Sequence, residues 1–139
     1  MSDDPELLVD TSAAVPLVVA DHAHHDEVRR ALGSAVLGLA GHAQFETYSV
    51  LTRLPPPSRR PPSDCHHLLA TNFPRSRFLT PAQQARSLAR FAELRIAGGS
   101  VYDALVGSVS LVHDIPLVTR DRRALDTYRS LGVAVRFIG

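Results

Sequence analysis

The chain has 139 residues, enough for one domain with its own hydrophobic core, and we predict a single domain over residues 1–139. Apolar residues make up 45% of it and charged residues 21%, and no apolar run approaches the roughly 20 residues that span a bilayer. The acidic start, Met-Ser-Asp-Asp-Pro-Glu, differs from the basic start of a signal peptide, and the single cysteine excludes an internal disulfide. We therefore expect a cytoplasmic protein that makes no membrane contact.

The net charge is only +1, and every basic residue is an arginine. Without lysine, the chain has no Schiff-base chemistry, no P-loop lysine, and no lysine of the kind that receiver domains and haloacid-dehalogenase-type phosphatases place beside their aspartates. Because the net charge is small, any contact with phosphate must come from arginines at particular positions.

In the first half of the chain, short apolar runs alternate with amphipathic segments. The pattern predicts strands at 7–9 and 35–39, and helices at 13–20, 22–32 and 43–54. Thr11 and Ser12 are the expected caps of the first helix, where Pro16 is tolerable only in a first turn. Residues 55–62, PPPSRRPP, predict an exposed, stiff loop.

The second half continues the alternation. It predicts strands at 77–80, 116–119 and 133–138, and helices at 63–72, from 81 to Gly98-Gly99, at 100–113 and at 122–131. The helix at 100–113 is nearly all apolar, so we expect it to be central. Short apolar strands alternating with helices are typical of an α/β fold whose parallel sheet is covered on both faces.

Four acidic residues occupy unusual positions. Asp10 directly follows a buried strand, and Asp121 follows another by two residues. Because ligands of open parallel sheets bind beyond the carboxyl ends of the strands, both carboxylates are expected at the binding site. Glu46 lies on or beside the apolar stripe of its helix, and Asp103 lies in the first turn of the most apolar helix.

Taken singly, each of these acids could be a helix cap or a solvated helix residue. Together, four converging carboxylates would raise one another's pKa values, and burying them without partners would cost several kcal/mol each. Since no lysine is available, a cation is the simplest counter-charge, and oxygen ligands favour Mg²⁺ or Mn²⁺.

The contexts of the four acids resemble a known family. The strings LLVDTSA, HAQFETYSVLTRLP, VYDALVGSVSL and PLVTRDRRALDTYRSLGV are similar to the four acidic motifs of PIN-domain ribonucleases, and most of all to the VapC toxins of VapBC toxin–antitoxin pairs. The resemblance runs from Leu7 to the C-terminus. The PPPSRRPP loop and the segment after it lack a recognisable family pattern, which leaves specificity there open.

The resemblance implies a three-layer α/β/α fold with a four- or five-stranded parallel sheet. It implies that Asp10, Glu46, Asp103 and Asp121 are the catalytic, metal-binding residues, supported through hydrogen bonds by Thr11 or Ser12 and by Thr119. It further implies a homodimer, a VapB-like antitoxin whose C-terminal segment lies in the active-site groove, and a structured RNA substrate such as tRNA or rRNA.

In such a site the metal would acidify a bound water, Glu46 or Asp121 would orient that water, and cleavage would leave a 5′-phosphate and a 3′-hydroxyl. Arginines near two of the acids are candidate phosphate contacts, because Arg pairs with phosphate bidentately. They are Arg53, Arg59 and Arg60 beyond Glu46, and Arg120, Arg122 and Arg123 around Asp121.

Other polar clusters are weaker candidates. His22, His24 and His25 lack conventional zinc spacing, and His66 and His67 beside Cys65 are no better as metal ligands, because adjacent helix residues point apart. A lone Cys65 with an unrelated histidine is a poor thiol-protease candidate. Asp126 lies four residues after Arg122, so an exposed ion pair is its default interpretation, and it is only a fifth choice as a metal neighbour.

Rival functions are disfavoured by specific residues. A haloacid-dehalogenase phosphatase needs Asp-x-Asp after the first strand, where this chain has Asp10-Thr11-Ser12, and a dinucleotide-binding domain needs a glycine-rich turn there. The alternative that stays open is a PIN-like module that binds RNA or a protein without cutting.

Overall fold

The structure, a computed structural model, describes residues 4–139. Residues 1–3, which the predicted domain and the acidic start of the chain include, lie outside the described residues. The described chain forms one four-stranded parallel sheet with α-helices between the strands. Its elements are β1 (Glu6–Val9), α1 (Thr11–Val18), α2 (His25–Leu32), β2 (Val36–Leu39), α3 (Ala43–Thr52), α4 (Pro62–Asn72), α5 (Pro81–Glu93), α6 (Ser100–His113), β3 (Leu117–Thr119), a 3₁₀ turn (Arg122–Ala124), α7 (Leu125–Leu131) and β4 (Val135–Phe137).

The sheet has the strand order β2-β1-β3-β4, with β1 and β3 at its centre. Leu7, Leu8 and Val9 are all buried, although consecutive strand residues point to opposite faces, so both faces of β1 are covered. The predicted three-layer α/β/α fold is confirmed. The strands added after β1 lie on opposite sides of it, which opens a crevice at the carboxyl ends of β1 and β3.

The predicted strand at 77–80 is wrong. Arg77 forms a single parallel bridge with Ala40, and Gly41 N donates to Arg77 O at 2.7 Å. The chain then leaves the sheet edge, because Thr80 caps α5 and Pro81 begins it. The sheet therefore has four strands in the described chain.

Several helix boundaries differ from the predictions. Asp10, rather than Thr11 or Ser12, caps α1, and Pro16 lies in the interior of that helix instead of its first turn. α2 begins at His25 instead of residue 22, because turns occupy the residues between Asp21 and His24.

The long helix α5 ends at Glu93 and not at Gly98-Gly99. Arg95 takes a left-handed conformation (φ 59°), and Ile96 N donates to Phe91 O at 2.9 Å, which closes the helix end in the manner usual for a glycine. The prediction for α6 is confirmed at both ends, and this helix is central, with most residues of its second and third turns buried. Among residues 4–139, no helix is long and apolar enough to cross a membrane.

Gly38 lets the segment at Arg75–Arg77 pass against β2. A Cβ atom on Gly38 would lie 2.0 Å from the Arg75 carbonyl oxygen and 2.8 Å from Ser76 N. Arg75 N and Arg77 N donate to Leu37 O and Leu39 O, so this close crossing is held by backbone hydrogen bonds and cannot easily widen.

We expect Gly38→Ala to lower the free energy of unfolding by about 3 kcal/mol or more, at the upper end of overpacking effects, because the new methyl would meet backbone atoms. The matched control is Gly99→Ala, where φ is −62° and nothing lies within 4 Å; it should change stability by less than about 0.5 kcal/mol. Urea denaturation measures both, and equal loss in the two variants would contradict the prediction.

Candidate active site

Asp10 lies directly after β1, at the carboxyl-end crevice, and is only 7% exposed. Its carboxylate caps α1 by accepting from Ala13 N. Oδ1 also accepts from the Ser12 hydroxyl, and Oδ2 accepts from the hydroxyls of Thr119 and, at 2.8 Å, Tyr128. A buried carboxylate is therefore held by four donors from three parts of the chain.

The four predicted acids line one cavity of about 180 Å³, although they are separated by up to 111 residues of sequence from Asp10 to Asp121. Glu46 is in the first turn of α3, Asp103 is in the first turn of α6, and Asp121 caps the 3₁₀ turn after β3. The other lining residues are Thr11, Ser12, Ala43, Val106 and Tyr128.

Every one of these acids lies at the N-terminal end of a helix or helical turn. Asp10 caps α1 as well as facing the cavity, and Asp121 accepts from Arg123 N at 3.0 Å. Helix N-termini carry partial positive charge, which favours a carboxylate by roughly 0.3–1 kcal/mol. Asp10 and Asp121 thus act as caps and also line the cavity, so the two interpretations are compatible.

The ionisation of two of the cavity acids, Asp103 and Asp10, is perturbed. Burial raises the pKa of Asp103, and the negative charges of Asp121, Asp10 and Glu46 raise it further, while Arg123 opposes them. Burial also raises the pKa of Asp10, against hydrogen bonds from Ser12, Thr119 and Tyr128 that lower it. The cavity therefore concentrates negative charge that the protein itself compensates only in part.

The donor set suits a hard cation. Four carboxylates supply only oxygen ligands, and a divalent ion would relieve the part of the raised pKa of Asp103 that comes from the other three acids rather than from burial. Within residues 4–139, no three acidic, histidine or cysteine side chains already converge into a coordination shell. The acids line a cavity with room between them, so holding an ion would require their side chains to move inward.

Of the predicted supporting residues, Ser12 and Thr119 donate hydrogen bonds to the Asp10 carboxylate, whereas the Thr11 hydroxyl does not. The Thr11 hydroxyl lies 3.0 Å from that of Thr47 on α3, and so ties the start of α1 to the helix that carries Glu46. Thr119 is fully buried and its hydroxyl also accepts from Asp121 N at 3.0 Å. It therefore links two of the acids.

Tyr128 is the site residue that the sequence analysis missed. It lies on α7, is 1% exposed, and donates to Asp10 Oδ2. Burial and the charge of Asp10 raise the pKa of its hydroxyl far above the ordinary range, so the phenol acts as a donor. The only signal in the sequence was a tyrosine on the same apolar face of its helix as Leu125 and Leu131, which is equally typical of a core residue.

None of the six candidate arginines lines the cavity, and Arg60 lines a different pocket. The Arg123 guanidinium pairs with Asp121 at 3.4 Å and is 92% exposed, whereas the Arg122 guanidinium lies 4.9 Å from the centre of the Phe137 ring. Arg120 N donates to the Ser12 hydroxyl. Arg53, Arg59 and Arg60 are exposed near or within the proline-rich loop, and Arg59 Nε donates to Leu54 O at 2.7 Å.

The weaker candidates have other surroundings. His24 Nδ1 lies 3.2 Å from Glu27, and His25 Nδ1 lies 2.8 Å from Pro16 O. Asp126 is exposed on α7 and does not line the cavity.

Comparison with known proteins gives consistent results. The family model of the PIN domain matches residues 7–130. The chain is similar to Ribonuclease VapC27 of Mycobacterium tuberculosis, at 44% identity over 131 residues that cover 94% of this chain and 96% of the relative. It is also similar to Ribonuclease VapC40 of the same organism, at 42% identity over 130 residues that cover 93% and 96%.

A solved structure shares the fold. The crystal structure of Mycobacterium tuberculosis VapC20, described as a toxin that cleaves the sarcin–ricin loop, aligns with a TM-score of 0.68 and 22% sequence identity. The alignment covers 94% of this chain and 99% of that one.

The raised pKa of Asp103 predicts how pH affects stability. The Asp103 carboxyl binds its proton more tightly in the folded state than in the unfolded chain. Protonation of Asp103 therefore adds to the free energy of unfolding below the ordinary pKa of 3.8, and this added stability is lost as pH rises through the raised pKa. At pH 7 in EDTA, Asp103→Asn should therefore melt roughly 1–3 °C above wild type, a small gain because solvent screens a half-buried group.

The matched control is Asp26→Asn, an exposed aspartate in the first turn of α2, which removes a helix-terminal charge without relieving repulsion in the cavity. Thermal melts from pH 3 to pH 8 make the comparison. The advantage of Asp103→Asn should shrink toward pH 3; an advantage that grows with acidity would contradict the sign.

Proposed function

The chain belongs to the PIN-domain family and to its VapC ribonucleases, and we propose that it is the endoribonuclease toxin of a VapBC-type toxin–antitoxin pair, acting with Mg²⁺ or Mn²⁺ on a structured cellular RNA. The observation that carries the proposal is that four acidic residues from separate parts of the chain, Asp10, Glu46, Asp103 and Asp121, line one cavity. tRNA and rRNA are the substrate classes proposed, and the cytoplasm, where both occur, is the proposed compartment.

The four cavity acids are the residues that would hold the ion. When bound, a divalent ion supplies counter-charge for the attacked phosphate and makes a bound water more acidic. Asp10, fixed by four hydrogen bonds, has the role of a rigid anchor in this proposal. Asp121 is engaged by Arg123, whereas the Glu46 carboxylate is exposed and accepts no hydrogen bond among residues 4–139.

We therefore assign the orientation of the attacking water to Glu46. Its carboxylate accepts a proton from the water as the water oxygen bonds to phosphorus. The bond from phosphorus to the 3′-oxygen breaks, and that oxygen takes a proton from a solvent water as it leaves, so the products carry a 5′-phosphate and a 3′-hydroxyl. Mapping the ends of cleaved RNA in a total RNA sample would identify both the chemistry and the substrate.

Two exposed aromatic side chains, which lie beside cavity acids in the first turns of α3 and α6 and are called the rim below, support the proposed partners. Phe45, beside Glu46, is 66% exposed, and Tyr102, beside Asp103, is 62% exposed. Large apolar side chains that are exposed next to a charged cavity are typical of a protein interface. We propose that a VapB-like antitoxin covers this rim and that two copies of the chain form a homodimer.

Asp10→Asn should abolish metal-dependent cleavage. The amide loses the negative charge and presents an NH₂ group where the carboxylate accepts hydrogen bonds, so the loss should exceed the roughly 10–100-fold typical of residues that only support a ligand. The assay incubates purified wild-type protein and variant with tRNA and rRNA in Mg²⁺ or Mn²⁺, and then in EDTA.

The control for that assay is Asp126→Asn, which makes the same chemical change outside the cavity and should cleave like wild type. Undiminished cleavage by Asp10→Asn would remove the catalytic assignment. RNA binding by wild type with no cleavage in any metal would instead favour the non-catalytic PIN-like module.

Arg123→Gln should weaken RNA binding and reduce its salt dependence. A single lost phosphate contact lowers the slope of log K against log salt by about 0.7–0.9. Binding is measured in the Asp10→Asn background, so that cleavage does not interfere. The comparison variant is Arg86→Gln, an exposed arginine on α5; equal slopes in the two variants would exclude Arg123 as a phosphate contact.

A further inference from the structure

The ring of Tyr128 is fixed by close packing against α6. A Cβ atom on Gly107 would lie 3.1 Å from Tyr128 Cδ1, and the side chains of Leu131 and Val133 lie almost as near. Gly107 follows Asp103 by one helical turn, so the same face of α6 carries a cavity acid and the contact that holds the ring. Tyr128 therefore has little freedom to move relative to the cavity.

The hydroxyl of this ring reaches across the cavity to β1. It donates to Asp10 Oδ2 at 2.8 Å over a sequence separation of 118 residues, and Tyr128 is among the residues that line the cavity. The contact connects α7, through the packing on α6, to the end of the central strand. It is the longest-range hydrogen bond that Asp10 makes.

The four donors to Asp10 are not equivalent. A carboxylate accepts about four hydrogen bonds, and Asp10 receives four, so its orientation is fully specified. The Ser12 hydroxyl has a second acceptor in reach, since Thr119 Oγ1 lies 3.2 Å away. Within residues 4–139, Asp10 is the only hydrogen-bond acceptor of the Tyr128 hydroxyl.

Ser12 can therefore release Asp10 without losing a hydrogen bond, which would free a lone pair on Oδ1 toward a ligand. Tyr128 would lose its hydrogen bond by the same movement, so it remains on Oδ2. We propose that Tyr128 is a positioning residue for RNA cleavage, whose hydroxyl holds the Asp10 carboxylate in the orientation that metal binding requires. This inference rests on the proposed function.

The test is Tyr128→Phe, which keeps the packed ring and removes only the hydroxyl. Mn²⁺ affinity, measured by titration calorimetry on the metal-free protein, should fall by roughly 10–100-fold, the usual effect of losing a group that orients a metal ligand. At saturating Mn²⁺, kcat for RNA should fall while KM stays within about two-fold, because Tyr128 is buried and its hydroxyl is bonded to Asp10. The melting temperature of each protein shows that the assays are run on folded material.

Tyr48→Phe is the matched control. Tyr48 is a half-buried tyrosine on α3 that lines a different, apolar groove, and its loss of a hydroxyl should leave both readouts unchanged. Wild-type Mn²⁺ affinity in Tyr128→Phe would overturn the inference. If Tyr128→Phe does not fold, Gly107→Ala displaces the ring while keeping the hydroxyl, and unchanged Mn²⁺ affinity in that variant would overturn it as well.

Asp10→Asn, assayed in parallel, separates the two proposals. Loss of cleavage in Asp10→Asn with normal behaviour of Tyr128→Phe would leave the nuclease assignment intact and remove the role of Tyr128. Full cleavage by Asp10→Asn would remove the nuclease assignment itself.

Discussion

Four carboxylates line one small cavity, and the surrounding structure has to limit the repulsion between them. The chain has no lysine to neutralise them, and its arginines lie outside the cavity lining. Compensation comes from the backbone, since each acid lies at the N-terminus of a helix or 3₁₀ turn, where unpaired N–H groups point outward. The helices around the crevice therefore stabilise the carboxylates electrostatically, in addition to packing against the sheet.

The four acids differ in how far the protein compensates their negative charge. Asp10 is buried and accepts four hydrogen bonds, and Asp121 accepts from a backbone N–H and pairs with Arg123. The Glu46 carboxylate is exposed and accepts no hydrogen bond in the described chain. Asp103 lies between these extremes, half-buried and repelled by the other three. A site with one fixed acid and others that can move is suited to take up an ion whose ligands must close around it.

The sequence predicts this site well where local pattern decides and poorly where distant side chains meet. The limits of α6 follow from its continuous apolar run, and the positions of Asp10 and Asp121 follow from the ends of apolar strands. Whether Thr11 or Ser12 bonds to Asp10 depends on the direction in which each side chain leaves a short helix. The strand predicted at 77–80 is wrong because Thr80 and Pro81 begin a helix. The Tyr128 contact spans 118 residues, a distance at which no periodicity carries information.

Two exposed aromatic side chains lie next to cavity acids and form part of the surface proposed to bind an antitoxin. Phe45 and Tyr102 each precede a cavity acid by one residue, so on a helix each points about 100° away from that acid and toward solvent. The His42 and Tyr102 rings lie 6.2 Å apart, which joins the N-terminal ends of α3 and α6 across the rim. A protein partner that buries the His42 and Tyr102 rings would lie over the N-terminal ends of α3 and α6, which carry Glu46 and Asp103. In the proposed function, a partner bound there would inhibit cleavage by covering Glu46 and Asp103 themselves.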